Sequence, residues 1–347
     1  MGIIQNNILL KYLPGKTDPN DFGLWLPVWM HLEDTAGIID KLAGQWLSPN
    51  IGNLIASQLK TGDINSLSKL LAYWHDIGKF TPVFAARLLE KLPDIQEKLL
   101  PFEGIPDHPF PDNTPHALAG QCILRSRNIP AGIAVIIGAH HGAPQETINS
   151  KDMNEHPSHY YGRKSSPASI REQWDSTWDQ WIGETLQKCG FESIEQLPVL
   201  DQSAQMLLSG LLIMADWIAS NTFYFPLISV ESAGSPSLYP ERVETAWEKF
   251  KKERTDIWSP ITYFTDSEQF NHRFHFEPNE VQQSMIDVLN QCDGKGIFIL
   301  EAPMGCGKTE AALCAAEVLA AKTQTSGIFF GLPIYGHSCF VKFFHWN

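Results

Sequence analysis

Cysteine is scarce and unpatterned in this chain of 347 residues: Cys122, Cys189, Cys292, Cys306, Cys314 and Cys339 are scattered, with no CxxC spacing. That excludes a disulfide framework or a cysteine-built zinc scaffold and fits free thiols in a reducing compartment. Cations are also in short supply. Lys and Arg number 26 against 39 Asp and Glu, a formal charge of -13, so the surface as a whole does not bind polyphosphates non-specifically. No stretch approaches about 18 uninterrupted apolar residues, so no spanning helix and no membrane partner are expected. Residues 1–13 lack a basic region followed by a long apolar core, so no signal peptide is read and a cytoplasmic location is expected. There is no internal repeat. An acidic balance still permits phosphoester chemistry, because bound divalent cations invert the charge of a site locally.

What is present is an ordinary globular composition, 43% hydrophobic and 19% charged, with room for two or three domains. From Trp25 to about Phe225 the periodicity is helical. Leu67, Leu70, Leu71 and Trp74 form an i, i+3, i+4, i+7 stripe ending near Gly78. Ala131–Ala139 reads as a short apolar helix closed by Gly142. Ser203 is expected to cap an almost wholly apolar, hence buried, helix running to about Ala219. Ile148–Pro167 reads as a surface loop. Residues 229–240 look like a linker, followed by a charged helix Glu241–Arg254 with Val243, Trp247 and Phe250 on one side. A new pattern begins near Phe276: helix Val281–Leu289, strand Gly296–Leu300, a glycine-rich loop, helix Thr309–Lys322 and strand Gly327–Leu332. That order opens a parallel α/β sheet. The expected domains are 1–228, a linker with charged helix over 229–275, and 276–347.

Histidines and aspartates recur through the helical region. His75-Asp76 ends the striped helix inside WHDIGK, and Asp76 has two oxygens with which to bridge two cations. Taken alone, such a dipeptide is as well explained by chance. His140-His141 lies within GAHHG, where neutral imidazoles are good transition-metal ligands and a surface pair is an equal reading. His116 opens a helix after Thr114-Pro115, which reads as a capped beginning, and His31 sits among Trp29, Leu32 and Ile38; a structural role is the simpler single-residue account of each. Asp216 says more. It interrupts the apolar run LLIMADWIAS, and a buried carboxylate costs several kcal/mol unless it meets a cation, donors or a metal. Between Arg171 and Arg242 the sequence offers only Lys188 as a cationic partner, which favours a ligand role.

The ordered set His31, His75-Asp76, His116, His140-His141, Asp216 resembles the HD superfamily of metal-dependent phosphohydrolases. Within it, WHDIGKF, PHALAG, GAHHG and MADWIAS resemble the nuclease domain of the CRISPR-associated HD nuclease–helicase of type I interference systems, over roughly residues 25 to 222. The resemblance implies a mainly α fold: an all-α HD-superfamily helical bundle followed by a partial RecA-like α/β unit. It implies two divalent transition metal ions (Mn, Fe, Ni or Co, with Mg as the alternative). His31, His75, Asp76 and Asp216 would hold one; Asp76, His116, His140 and His141 the other. Lys79 matches the family lysine near the reacting phosphate. Ser220 matches a small hydroxyl residue after the aspartate, with helix capping an equal reading. Asp34 matches a supporting aspartate, and Glu33 is a local variation. The implied partners are single-stranded DNA and an RNA-guided surveillance complex.

The segment 301–309, EAPMGCGKT, sits between an apolar run and a helix, the setting in which backbone N–H groups of a glycine-rich loop wrap phosphates. It resembles superfamily-two helicases. Gly305 and Gly307 would shape the loop, Lys308 would meet the terminal phosphates and Thr309 the magnesium, while Gln282 matches the adenine-reading glutamine. After Leu332-Pro333 the match stops: residues 334–347 read IYGHSCFVKFFHWN, without the acidic box or second lobe. The expectation is a partial ATP/Mg site, no helicase activity from this chain alone, and a truncated gene or a separate helicase chain as partner. The leading functional expectation is a metal-dependent nuclease. An HD phosphohydrolase acting on free nucleotides and an inactive remnant are the alternatives.

Overall fold

The computed structural model describes residues 7–18, 20–21, 23–59, 63–106, 113–144, 151–162, 167–229, 232, 239–253, 267–294 and 296–323. It divides into two compact units, 1–252 and 253–347.

The first unit is a mainly α bundle. Its elements are α1 (Ile8–Tyr12), β1 (Pro14–Thr17), β2 (Leu24–Pro27), α2 (Val28–Lys41), α3 (Pro49–Ala56), α4 (Ile64–Trp74), α5 (Pro82–Leu89), α6 (Pro93–Leu99), α7 (His116–Ser126), α8 (Ala131–Gly138), α9 (Lys151–Glu155), α10 (Pro157–Tyr161), α11 (Ala168–Lys188), α12 (Gln202–Ser220), β3 (Ile228–Ser229) and α13 (Tyr239–Glu253). The three strands form one small antiparallel sheet in the order β1-β2-β3. The centre of the bundle is α2 packed on α4, with α12 against both and α8 beside α12. Among the described residues α12 is the one helix long and apolar enough to pass for a membrane span; here it is a core helix, burying Leu208, Leu211, Leu212 and Ala215.

α11 clamps the segment that follows α4. Trp174, Trp178 and Trp181 recur at i, i+4 and i+7, one helical face, and all are buried. The indole N–H of Trp181 donates to Tyr73 O (2.7 Å) and that of Trp178 to Phe80 O (2.6 Å). The residues between those two carbonyls include His75, Asp76 and Lys79. Gly78 lets α7 come close: a Cβ there would lie 2.0 Å from His116 O and 2.6 Å from Gly120 N.

Several expectations need correction. Asp201, not Ser203, caps α12, its side chain accepting from Ala204 N; an Asp two residues earlier completes the same bond and adds a favourable charge at a helix N-terminus. The striped helix stops at Trp74, and a short 3-10 turn, Ile77–Lys79, carries the chain past Gly78. The expected loop 148–167 contains α9 and α10, with Tyr160 fully buried and Met153 and Tyr161 nearly so, because aromatic burial outweighs weak periodicity. Thr114 does not cap α7. Pro115 occupies the cap position without a side-chain bond, and the Thr114 hydroxyl donates to Asp152 (2.7 Å). The charged helix assigned with the linker belongs to the first unit: Val243, Ala246, Trp247 and Phe250 of α13 join its core.

The second unit contains α14 (Ser267–Phe274), α15 (Glu280–Gln291) and α16 (Lys308–Thr323). A small core unites Phe270, Met285, Ile286, Leu289, Ala311, Cys314 and Val318. Residues 296–300 are not a strand among the described residues, and Ile297 and Ile299 are 93% and 82% exposed. A strand exists only through a paired neighbour, and the expected neighbour, Gly327–Leu332, lies outside the described residues, as does the tail 334–347.

Candidate metal centre

The seven histidines and aspartates singled out in the first unit come from five different helices or helix ends, and they meet. His31 lies in the first turns of α2, His75 and Asp76 follow α4, His116 opens α7, His140 and His141 follow α8, and Asp216 sits in the last turns of α12. Two local hydrogen bonds of the same kind orient two of the rings. His75 Nδ1 is 2.8 Å from Ala72 O, and His140 Nδ1 is 2.6 Å from Ile137 O, both three residues back. A carbonyl can only accept, so each Nδ1 carries the hydrogen and each neutral ring turns a lone pair on Nε2 towards the centre.

Asp76 is the hub. Its Oδ2 is 3.3 Å from His31 Nε2, 3.4 Å from His75 Nε2 and 2.6 Å from Lys79 Nζ. Its Oδ1 faces the other way, 3.3 Å from His116 Nε2 and 3.5 Å from His140 Nε2. Asp216 Oδ1 completes the first group, 3.1 Å from His31 Nε2 and 3.5 Å from His75 Nε2. His141 Nε2 completes the second, 2.8 Å from His116 Nε2. Thus His31, His75 and Asp216 form one convergent donor triplet and His116, His140 and His141 another, each with donors within 4.8 Å of one another.

The electrostatics of the pocket call for positive charge. Burial opposes ionisation of Asp76, yet Lys79 and the surrounding imidazoles hold its carboxyl well below the usual range. Burial likewise opposes Asp216, and hydrogen bonds from His31 and His75 hold it low. Burial alone would neutralise His75; the two carboxylates reverse this and push it up to about 10. On the other side burial dominates, taking His116 down to about 3, with His141 lowered by burial and His140. Asp76 Oδ1 and His140 Nε2 are fully buried without a satisfactory hydrogen bond, which in a native core calls for an explanation such as an ion. Carboxylate oxygens and lone-pair imidazoles suit a divalent transition ion at each triplet. The residues present therefore fit divalent metal, with Asp76 lying between the two donor triplets.

Around this lies a supporting layer. Ser220 Oγ donates to Asp216 Oδ1 (3.0 Å), which orients the carboxylate from one turn further along α12. Asp34, fully buried three residues after His31, is held by Arg242 of α13 through Nε at 3.0 and 2.9 Å to its two oxygens, while burial pushes it up to about 7. Glu33 is tied to Tyr73 Oη (2.7 Å) and Lys188. Two residues escaped the sequence reading. Arg242 lies in a stretch with no turn or motif signal of its own. Lys16, whose ammonium donates to Ser220 O (2.6 Å), is some 200 positions from Asp216, too distant for any spacing argument.

In the second unit Gly305 and Gly307 adopt positive φ (82° and 71°) ahead of α16. Lys308 Nζ bonds to Ala302 O and Pro303 O of its own loop, and Thr309 is exposed. Gln282 is 1% exposed; its side chain accepts from Asn279 N and donates to Gly307 O (3.1 Å), fastening α15 to the glycine-rich loop.

A family model described as the HD domain of Cas3 matches residues 15–225. A CRISPR-associated nuclease/helicase Cas3 of Streptococcus thermophilus is 38% identical over 338 residues, covering 92% of this chain and 36% of its own length. A CRISPR-associated endonuclease/helicase Cas3 of Thermus thermophilus is 26% identical over 275 residues, covering 75% of this chain and 27% of its own. The chain thus spans about a third of these relatives. Among solved structures, T. fusca Cas3-ADP superposes with a TM-score of 0.60 at 26% identity, covering 92% of this chain and 35% of that one.

Proposed function

We propose a function from one premise: the chain belongs to the Cas3 HD-domain family. The function is a divalent-metal-dependent nuclease that hydrolyses phosphodiesters of single-stranded DNA in CRISPR type I interference, on DNA exposed by an RNA-guided surveillance complex in the cytoplasm. One observation carries this reading: the two oxygens of the buried Asp76 carboxylate face two separate donor triplets. That is the geometry expected of a carboxylate shared by two cations.

His31, His75, Asp76 and Asp216 would hold one ion; Asp76, His116, His140 and His141 the other. Imidazole-rich donors favour Mn, Fe, Ni or Co over Mg, which prefers oxygen ligands. Bound ions would supply Lewis acidity towards the phosphoryl group and lower the pKa of a water nucleophile. The chain's own residues do the rest. Ala72 O and Ile137 O each hold the Nδ1 of His75 and His140, so both Nε2 atoms face the centre before any ligand arrives. Lys79, 16% exposed at its side chain, places its ammonium beside Asp76 at the edge of the cluster, where it can balance charge developing on a phosphate. His141, the exposed member of its triplet, marks the solvent side. For the second unit we propose a nucleoside triphosphate cradle, with Gly305 and Gly307 shaping it, Lys308 on the terminal phosphates, Thr309 on magnesium and Gln282 beside it. It would serve a helicase part completed within a longer protein or by a separate chain.

The test is cleavage of circular single-stranded DNA by Mn-supplemented protein. Nicking followed by shortening is expected, abolished by a chelator and by Asp76→Asn, whose circular dichroism stays helical. Mn affinity in that variant should fall by more than the roughly 10–100-fold typical of losing an outer partner. Phosphate release from free deoxynucleotides without DNA cutting would transfer the protein to the nucleotide phosphohydrolases, and cutting that survives Asp76→Asn would refute the ligand assignment.

A further inference from the structure

We infer that Lys16 is a second phosphate-anchoring cation of this site, holding the single strand next to the phosphate that lies at the donor triplets; the inference rests on the nuclease reading above. Lys16 stands on β1, and β1 is not regular. Pro14 pairs with Pro27 but Lys16 with Leu26, so the register shifts across Gly15. A bulge of this kind bends a strand and re-aims the neighbouring side chain. Gly15 allows it by letting β1 close on the start of α2, where an added Cβ would lie 3.1 Å from Val28 Cα. The ammonium of Lys16 then reaches the end of α12 and donates to Ser220 O at 2.6 Å. Ser220 in turn holds Asp216. The charge of Lys16 therefore stands on the Asp216 side of the cluster, within electrostatic reach of both Asp216 and Lys79.

A lysine at a helix C-terminus is stabilising in itself, so capping alone must be weighed. Two facts go beyond it. Lys16 is half-buried beside the cluster, where burial and then the charge of Lys79 weigh against its ammonium and only Asp216 favours it, so its charge is incompletely compensated on the protein side and an anion arriving there adds the missing partner. The chain is also poor in cations overall, 26 against 39 anions, yet Lys79 is paired with Asp76 and Lys16 stands within electrostatic reach of Asp216 and Lys79. Ser220 O uses one of the three ammonium N–H groups, which leaves donors for a phosphate oxygen. The phosphodiester backbone of single-stranded DNA supplies an anion at every nucleotide.

The experiment is fluorescence anisotropy of Mn-loaded full chain with a short phosphorothioate oligodeoxynucleotide over a series of NaCl concentrations. Lys16→Gln should weaken binding by about tenfold, as for loss of a charge-assisted hydrogen bond. It should also make the slope of log Kd against log salt shallower by about 0.7, the change for one phosphate contact on a single strand. Lys16→Arg should restore both. An unchanged slope, whatever loss of thermal stability or Mn affinity accompanies it, would reduce Lys16 to a helix cap. Should Lys16→Gln fail to fold, reductive methylation of the unmodified protein decides the same question: protection of Lys16 by the oligonucleotide supports the anchor, and equal labelling with and without it overturns it. Protein that binds the oligonucleotide but leaves ordinary DNA uncut would sink the nuclease reading while the Lys16 comparison still stands; protein that does not bind it at all would sink both.

Discussion

The most informative side chain is His75, because its protonation and its capacity to hold an ion exclude each other. With Nδ1–H given to Ala72 O, Nε2 holds either a proton or a metal. The carboxylates of Asp76 and Asp216 push it up to about 10, so at neutral pH the ion-free protein carries that proton. Because the folded value is raised above about 6.5, the stabilisation is complete below that pH and is lost as pH climbs towards 10. Metal binding must displace the proton. Isothermal titration of Mn at pH 7.5, repeated in buffers of differing ionisation enthalpy, should therefore register about one proton released. Affinity should rise about tenfold per pH unit in the range below 10. His75→Gln should abolish the release; release that persists in the variant would move the proton to another group.

At the scale of elements, the site depends on helices that contribute none of its donors. α11 fastens both ends of the Tyr73–Phe80 segment through two indoles, and α13 fastens α2 through Arg242 and Asp34. Arg242→Met leaves a fully buried carboxylate, three residues from His31, without its cation. Breaking one partner of such a pair costs about 3–5 kcal/mol. A urea titration monitored by tryptophan fluorescence should show that loss. Adding Asp34→Asn to Arg242→Met should recover much of it, since the uncompensated charge is then gone; equal stability of Arg242→Met and the parent would show that α13 contributes nothing to the bundle. Sequence patterning found α4 and α13 by an apolar stripe, α8 and α12 by apolarity nearly all round, and α15 and α16 by their place around the glycine-rich loop. It missed α9 and α10, five residues each, too short to display a period; the strand expected at 296–300 depends on a neighbour, 327–332, that lies outside the described residues.

For the whole molecule, the cluster joins segments from residue 31 to residue 216, so an ion there cross-links much of the first unit. An ion that binds only the folded state stabilises it by about 2.7 kcal/mol at a concentration one hundred times its Kd. For a unit of this size that corresponds to roughly 5–10 °C in Tm. Differential scanning calorimetry with Mn and then with excess chelator should show that rise and its reversal in one transition. The other unit, with its separate core around Phe270 and Cys314, should unfold without responding to Mn. A chelator-insensitive first transition would mean that the donor triplets do not take up the ion in solution.

By itself the sequence determined which side chains could do the chemistry and that one of them had to be compensated. An aspartate within an apolar helix has a cost that no neighbour in the chain relieves, and that is readable from residue types alone. It also determined the mainly helical architecture, through stripes that need burial. Only the tertiary structure decided that the triplets fall on opposite oxygens of Asp76, that Arg242 serves Asp34, and that Lys16 arrives beside Asp216. Those relations join residues far apart along the chain through packing and a strand bulge. Periodicity reports which face of an element is buried, whereas the partner that buries it is fixed only by the mutual fit of all the elements.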